Sequence, residues 1–217
     1  IEAKRIQPKG ALFLCGITES PVGILHWQLV DRYVNRIISW DLNQDSVVSG
    51  EEITMGFEKD DFFLKLGISV QSLMPPTGEW TRESLSLHFE SDYTALREAS
   101  LSVPDSTPYP PGESDFEYVM TTYSWWKQWF IDNVPTIDRL KHYAGKVSYH
   151  FGEIDSQAPG ERQIEFAKKR LNGFQSIPKF TLHPNRGHNL RTGHPLFGPM
   201  DEDAKKNLID DALWLLQ

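Results

Sequence analysis

The last third of the chain leaves little choice of fold class. In "KVSYHFGEID" (146–155), Val147, Tyr149 and Phe151 alternate, and the spacing predicts a strand. "GERQIEFAKKRLNGF" carries Ile164, Ala167 and Leu171 on one helical face, with Gly173 as its stop signal. "PKFTLHP" predicts a second strand through Phe180 and Leu182. "DEDAKKNLIDDALWLL" predicts a helix capped by Asp201, with Leu208, Ala212 and Leu215 in phase. Strand, helix, strand, helix at this pitch means a parallel α/β sheet. Far upstream, "GALFLCGI" (10–17) is a short continuous apolar run suited to another buried parallel strand. Alternation places the last two strands near a sheet edge, and the continuous run takes a more central position.

Between these pieces the sequence reads differently. Residues 21–40 carry Ile24, Trp27, Val30, Val34, Ile37 and Ile38 at helical spacing. An acidic loop, 41–52, is followed by a helical pattern in "EEITMGFEKDDFFLKLGI". "MPPTGEW" and "VPDSTPYPPGES" are breakers around a helix over Thr81 to Ser91 or beyond. "FEYVMTTYSWWKQWFIDN" (116–133) is aromatic and helical. We therefore expect an α/β core from 1–20 and 141–217, with a mostly helical insertion over 21–140.

Hydrophobic content of 39% in 217 residues supports a real core. A net charge of −8 argues against a nucleic-acid partner, which a basic face would serve. No segment approaches the roughly 18 apolar residues of a membrane span. Cys15 is the sole cysteine, so no internal disulfide forms. The opening carries no initiator Met and no signal peptide, and it enters a buried-type strand almost at once; residues upstream are expected.

In a parallel α/β sheet, catalytic groups gather beyond the carboxyl ends of strands. Asp155 and His188 both sit at such ends. A carboxylate there would hold the imidazole's tautomer and stabilise its protonated form. Each residue alone has a plain structural reading, a turn cap for Asp155 and a backbone-bonded loop histidine for His188. Glu153 is a rival acid; His183 and His194 are rival bases.

"VSYHFGEIDSQAP" followed by "LHPNRGHNL" resembles the last two strands of the α/β-hydrolase fold. In that family a Gly-x-x-Asp pattern carries the triad acid and a following Gly-His the base. Gly152, Asp155, Gly187 and His188 stand at the matching positions. "GPMDEDAKKNLIDDALWLL" resembles the family's closing helix, and 10–17 the strand after its nucleophile helix. The resemblance implies a partial α/β-hydrolase with a cap insertion. Its activity would be hydrolysis of a carboxylic ester or related acyl substrate.

The family's nucleophile sits in a Gly-x-Ser-x-Gly elbow, and no such elbow is present. Gly67-x-Ser69 lacks the second glycine. Cys15 lacks both, with Phe13 and Ile17 in their places, and reads as a buried, inert thiol. The nucleophile is expected upstream of Ile1 or on another chain. The 217 residues alone are expected to be inactive, with one sheet edge raw.

The stretch "DLNQDSVVSGEE" (41–52) matches an EF-hand-like calcium loop. Its oxygen ligands would be Asp41, Asn43, Asp45, the Val47 carbonyl, Ser49 and Glu52. Val48 takes the inward apolar place. Ser46 replaces the glycine of the sharp turn, at a cost of about 1 kcal/mol if its φ is positive. The plainer reading is a solvated acidic turn capping the next helix. Trp125, Trp126 and Trp129 pack the insertion or line an acyl pocket, and one at least should be exposed. Beside the hydrolase reading stands a second: a non-catalytic, calcium-stabilised binding module on a hydrolase-derived scaffold.

Overall fold

The first strand, β1 (Gly10–Leu14), is followed by an insertion of more than a hundred residues before its sheet neighbour appears. The insertion opens with α1 (Pro21–His26), a π-helical turn (Trp27–Asp31) and α2 (Arg32–Ile38). Then come β2 (Val47–Ser49), α3 (Gly50–Lys59), α4 (Phe62–Lys65), β3 (Glu79–Thr81), α5 (Arg82–Ser102) and α6 (Tyr123–Ile131). The chain returns through β4 (Lys146–Gly152), α7 (Gly160–Lys168), β5 (Lys179–His183) and α8 (Glu202–Leu216). These elements come from a computed structural model that describes residues 8–102, 104, 123–192 and 198–217. Two compact units emerge, one running to Ile24 and resuming at Asn133, the other spanning Leu25–Asp132. The boundaries expected at 20 and 141 both lie in the first of these units, a few residues outside the inserted one.

Among the described residues the sheet unit holds three parallel strands in the order β1-β4-β5, so the α/β class with flanking helices is as expected. The strand placement is not. Among the described strands, β1 lies at an edge and β4 in the middle. Alternation in β4 does not mark a solvated face, because both faces are buried from Val147 to Gly152. On one face Tyr149 stacks on Phe13 (4.5 Å) and Phe180 (5.6 Å), its register partners in β1 and β5. That face packs on Ala167 of α7. On the other face, Ser148 and His150 are buried against Asp211 of α8. The period-two pattern therefore records an apolar face and a polar face that are both inside.

A polar clamp fastens the two crossings into and out of the insertion. Gln163 of α7 is fully buried, and its carboxamide oxygen accepts from the Thr18 amide (2.7 Å) and hydroxyl (3.0 Å). Its amide group donates to buried Glu19 (2.5 Å), which Arg162 also grips through two bonds of 2.8 and 3.0 Å. The outgoing segment then pairs with the returning one, Thr136 N donating to the Glu19 carbonyl and Ile137 N to the Thr18 carbonyl. These groups satisfy one another, as buried polar groups must.

In the helical unit, β2 and β3 pair antiparallel with Val48 opposite Trp80, both buried. Phe62, Phe63, Ile53, Leu85 and Val34 are among the other buried apolar side chains of this unit. The helical pattern expected through residues 51–68 breaks at Asp60, whose extended backbone ends α3 and whose carboxylate receives the Phe62 amide (3.1 Å). The helix expected from Thr81 runs on to Ser102. No helix among the described residues is long and apolar enough to cross a membrane.

Candidate functional site

The tips of β4 and β5 meet because of a glycine. A Cβ on Gly152 would lie 2.2 Å from the Arg186 carbonyl oxygen and 2.4 Å from that of Gly187. The loop after β5 therefore runs directly over the end of β4, and three bonds hold it there. Glu153 N donates to the His183 carbonyl (3.0 Å), Ile154 N to the Arg186 carbonyl (3.0 Å), and Asn185 N to the Glu153 carboxylate (2.8 Å).

This crossing sets Asp155 beside His188. The imidazole Nδ1 donates to Asp155 Oδ2 at 3.0 Å. Asp155 Oδ1 accepts the Gln157 and Ala158 amides (2.8 and 3.1 Å), which fixes the carboxylate plane. The carboxylate is fully buried while the imidazole side chain is 31% exposed. With Nδ1 committed to the carboxylate, the basic lone pair lies on Nε2. The two residues singled out from the sequence are thus brought within hydrogen-bond distance of each other.

The rivals have other positions. Glu153 caps the β5 turn. His183 ends β5 and is buried against His150. His194 lies outside the described residues. Ser69 accepts from the Ser72 amide (3.4 Å) and caps a short 3-10 turn.

Cys15 lies closer to this pair than a merely buried thiol would suggest. It directly follows β1 with φ of +48°, a left-handed conformation unusual for a side-chain-bearing residue. Its sulfur accepts the Asn189 amide at 3.2 Å. Asn189 and Leu190 are left-handed too, with φ of 56° and 57°. One donor atom each from Cys15, Asp155 and His188 falls within 4.8 Å of the other two. Burial, and then the Asp155 charge, push the thiol up to about 11, so it is protonated at neutral pH. A neutral, buried thiol is a poor nucleophile.

Behind the tips lies a polar network that the sequence reading missed. Asp211 Oδ2 accepts from Ser148 Oγ (2.5 Å) and His150 Nε2 (3.0 Å), and Oδ1 from Lys179 Nζ (2.5 Å). His150 Nδ1 faces His183 Nε2 at 3.0 Å. Burial lowers the pKa of both imidazoles, and each neutral ring can then give one bond and take one. Burial pushes Asp211 upward, but bonds from Lys179 and Ser148 outweigh it and its pKa is lowered. The only signal in the sequence was a set of polar residues at inward positions of β4 and α8.

In the acidic loop, the six expected calcium ligands are turned largely on the loop itself. Asp41 receives the Asp45 and Ser46 amides (3.3 and 3.0 Å). The Asn43 side-chain carbonyl receives the Asp45 amide (2.9 Å), and the Asp45 carboxylate receives the Val47 amide (3.0 Å). Glu52 takes the Leu42 amide on one oxygen and the Ser49 amide and hydroxyl on the other. Among the described residues the one group of three or more convergent His, Cys, Asp or Glu donors is Cys15, Asp155 and His188, so Asp41, Asp45 and Glu52 do not converge that closely. Ser46 nonetheless adopts φ of 73°, the turn expected of the glycine it replaces.

A second twelve-residue loop pairs with the first and was not recognised from the sequence. Aligning Trp80 with Val48 gives Leu73–Ser84, with Gly78 (φ 60°) in the place of Ser46. Thr81 and Ser84 exchange amide bonds of 3.0 Å, repeating the Ser49–Glu52 capping pair. Leu73, Pro75 and Thr77 stand where the first loop has Asp41, Asn43 and Asp45, so this copy carries no carboxylates there. The Gly78-x-Trp80 spacing was the available signal. Trp125 is exposed at 44%, packed against Trp126 and Trp129.

Searches against protein-family models, curated proteins and solved structures find no match for this chain.

Proposed function

We propose that Asp155 and His188 are the acid and base of a hydrolase of the α/β-hydrolase type, acting on a carboxylic ester or related acyl bond. The observation that carries this reading is the 3.0 Å bond from His188 Nδ1 to a fully buried carboxylate, across the tips of neighbouring parallel strands. His188 Nε2 takes the proton of an attacking hydroxyl and returns it to the leaving group, while Asp155 holds the tautomer. Neither Cys15 nor Ser69 suits the nucleophile's part; a serine carried on a preceding segment or another chain does. This chain by itself should not raise p-nitrophenyl ester hydrolysis above buffer. The protein from the whole reading frame should turn over, and His188→Ala should lower its rate by about 10²–10⁴-fold. An unchanged rate removes His188 from the site.

The alternative, a non-catalytic calcium-stabilised binding module, draws on the loop pair. Three carboxylates, the Asn43 and Ser49 side-chain oxygens and the Val47 carbonyl could hold calcium as a structural ion, once the carboxylates swing away from the loop amides. Calcium at a hundred times its Kd would stabilise the fold by about 2.7 kcal/mol. A melting temperature equal in excess calcium and in chelator counts against the ion. Ester hydrolysis by the whole protein counts against a purely structural module.

A further inference from the structure

We infer that Cys15, Asp155 and His188 form a binding site for a thiophilic divalent cation, with Zn²⁺ as the best fit, and that occupancy silences the Asp155–His188 pair. The binding half stands on the side-chain cluster; the silencing half rests on the hydrolase reading.

Three elements deliver three different donors to one point: the end of β1 a sulfur, the end of β4 a carboxylate, and the loop after β5 an imidazole. Thiolate, carboxylate and imidazole are the ligands of tetrahedral zinc, at about 2.0–2.3 Å from the metal and thus about 3.3–3.6 Å from one another. The donor atoms already lie within 4.8 Å of each other, so closing on an ion needs movements of about 1 Å. Each donor is supported from behind. The Asn189 amide points at the sulfur and favours its anionic form. The Gln157 and Ala158 amides occupy Asp155 Oδ1 and leave Oδ2 as a one-atom ligand. Of the three donors, the His188 side chain is the exposed one, at 31%, so an ion would approach from its side.

Binding also accounts for its own effect on the base. The ion takes the lone pair of Nδ1, so the proton that Nδ1 donated to Asp155 moves to Nε2. Cys15 gives its thiol proton to solvent, and one proton is released per ion. Nε2 then carries a hydrogen and cannot accept one from a nucleophile.

The test uses metal alone with the whole protein. Cobalt(II) titrated into it should give a near-ultraviolet thiolate-to-cobalt charge-transfer band and visible bands of tetrahedral intensity, both displaced by one equivalent of Zn²⁺. Calorimetry in buffers of different ionisation enthalpy should report one proton released per ion. Cys15→Ser, checked for folding by circular dichroism, should abolish the charge-transfer band, and Asp155→Asn should weaken binding at least tenfold. No band in the unsubstituted protein, or a band kept in Cys15→Ser, overturns the site. If zinc binds and His188→Ala leaves ester hydrolysis intact, the silencing falls together with the hydrolase reading while the site remains. If His188→Ala abolishes hydrolysis and no metal binds, the hydrolase reading stands and this inference fails.

Discussion

Replacing Gly152 with alanine should separate the acid from its histidine without touching either. The new methyl would lie 2.2 and 2.4 Å from two carbonyl oxygens and 2.7 Å from the Arg186 carbonyl carbon. Ordinary contact needs more than 3 Å, so the 186–187 backbone must retreat by about 1 Å, and overpacking of this kind costs about 1–3 kcal/mol. That movement lengthens the bond from Ile154 N to Arg186 and draws His188 from Asp155. Taking 2 kcal/mol, the melting temperature should fall by about 4–8 °C for a chain of this size. A misplacement of about 1 Å in a catalytic group costs on the order of 10²-fold in rate. Calorimetry reads the first quantity and, under the hydrolase proposal, ester hydrolysis by the whole protein reads the second. In ¹⁵N-edited spectra, the downfield Nδ1 proton of His188, expected from its bond to a buried carboxylate, should weaken or vanish. A Gly152→Ala protein with unchanged melting temperature and that proton in place would refute the steric account of how the tips are held.

Stability should fall as pH drops. His150 and His183 have folded-state pKa values lowered by burial, so their contribution is complete above the unfolded value of about 6.5 and is lost as pH falls towards their folded values. A melting curve series from pH 7.5 to 5.5 should show the decline, and His183→Gln should flatten it; a flat profile in the unsubstituted protein would contradict buried neutral rings. Asp201 accepts the Ala204 amide (3.0 Å) at the start of α8 and pairs with Arg186 (2.8 Å). Asp201→Ala should cost about 1 kcal/mol for the cap, read by urea denaturation, with Asp201→Asn recovering most of it.

How much of this was legible in the sequence differs from one feature to the next. Strand–helix alternation after Lys146 was readable because a parallel sheet repeats its pattern locally. The pairing of Asp155 with His188 was readable because both residues follow the carboxyl ends of strands that a parallel sheet sets side by side. The position of β4 was not, since Ser148 and His150 look solvated until Asp211, sixty residues away, is placed beside them. Cys15 was correctly read as buried, but only the fold brings Asn189 and Asp155 to it. The loop over Leu73–Ser84 escaped notice because recognition rested on carboxylates, whereas its likeness to the first loop lies in backbone φ and pairing.

The clamp around Gln163 has a consequence for how this chain is assembled. Because Thr136 donates to the carbonyl of Glu19, the path out to the helical unit and the path back lie one hydrogen bond apart. To the sheet unit, more than a hundred residues amount to a hairpin whose two legs are already tied. Loop-closure entropy rises only with the logarithm of length, by about 0.6 kcal/mol per doubling. The sheet unit is thus nearly indifferent to how much chain leaves at that point, and the Asp155–His188 bond can stay in place while the inserted module is lengthened, trimmed or exchanged.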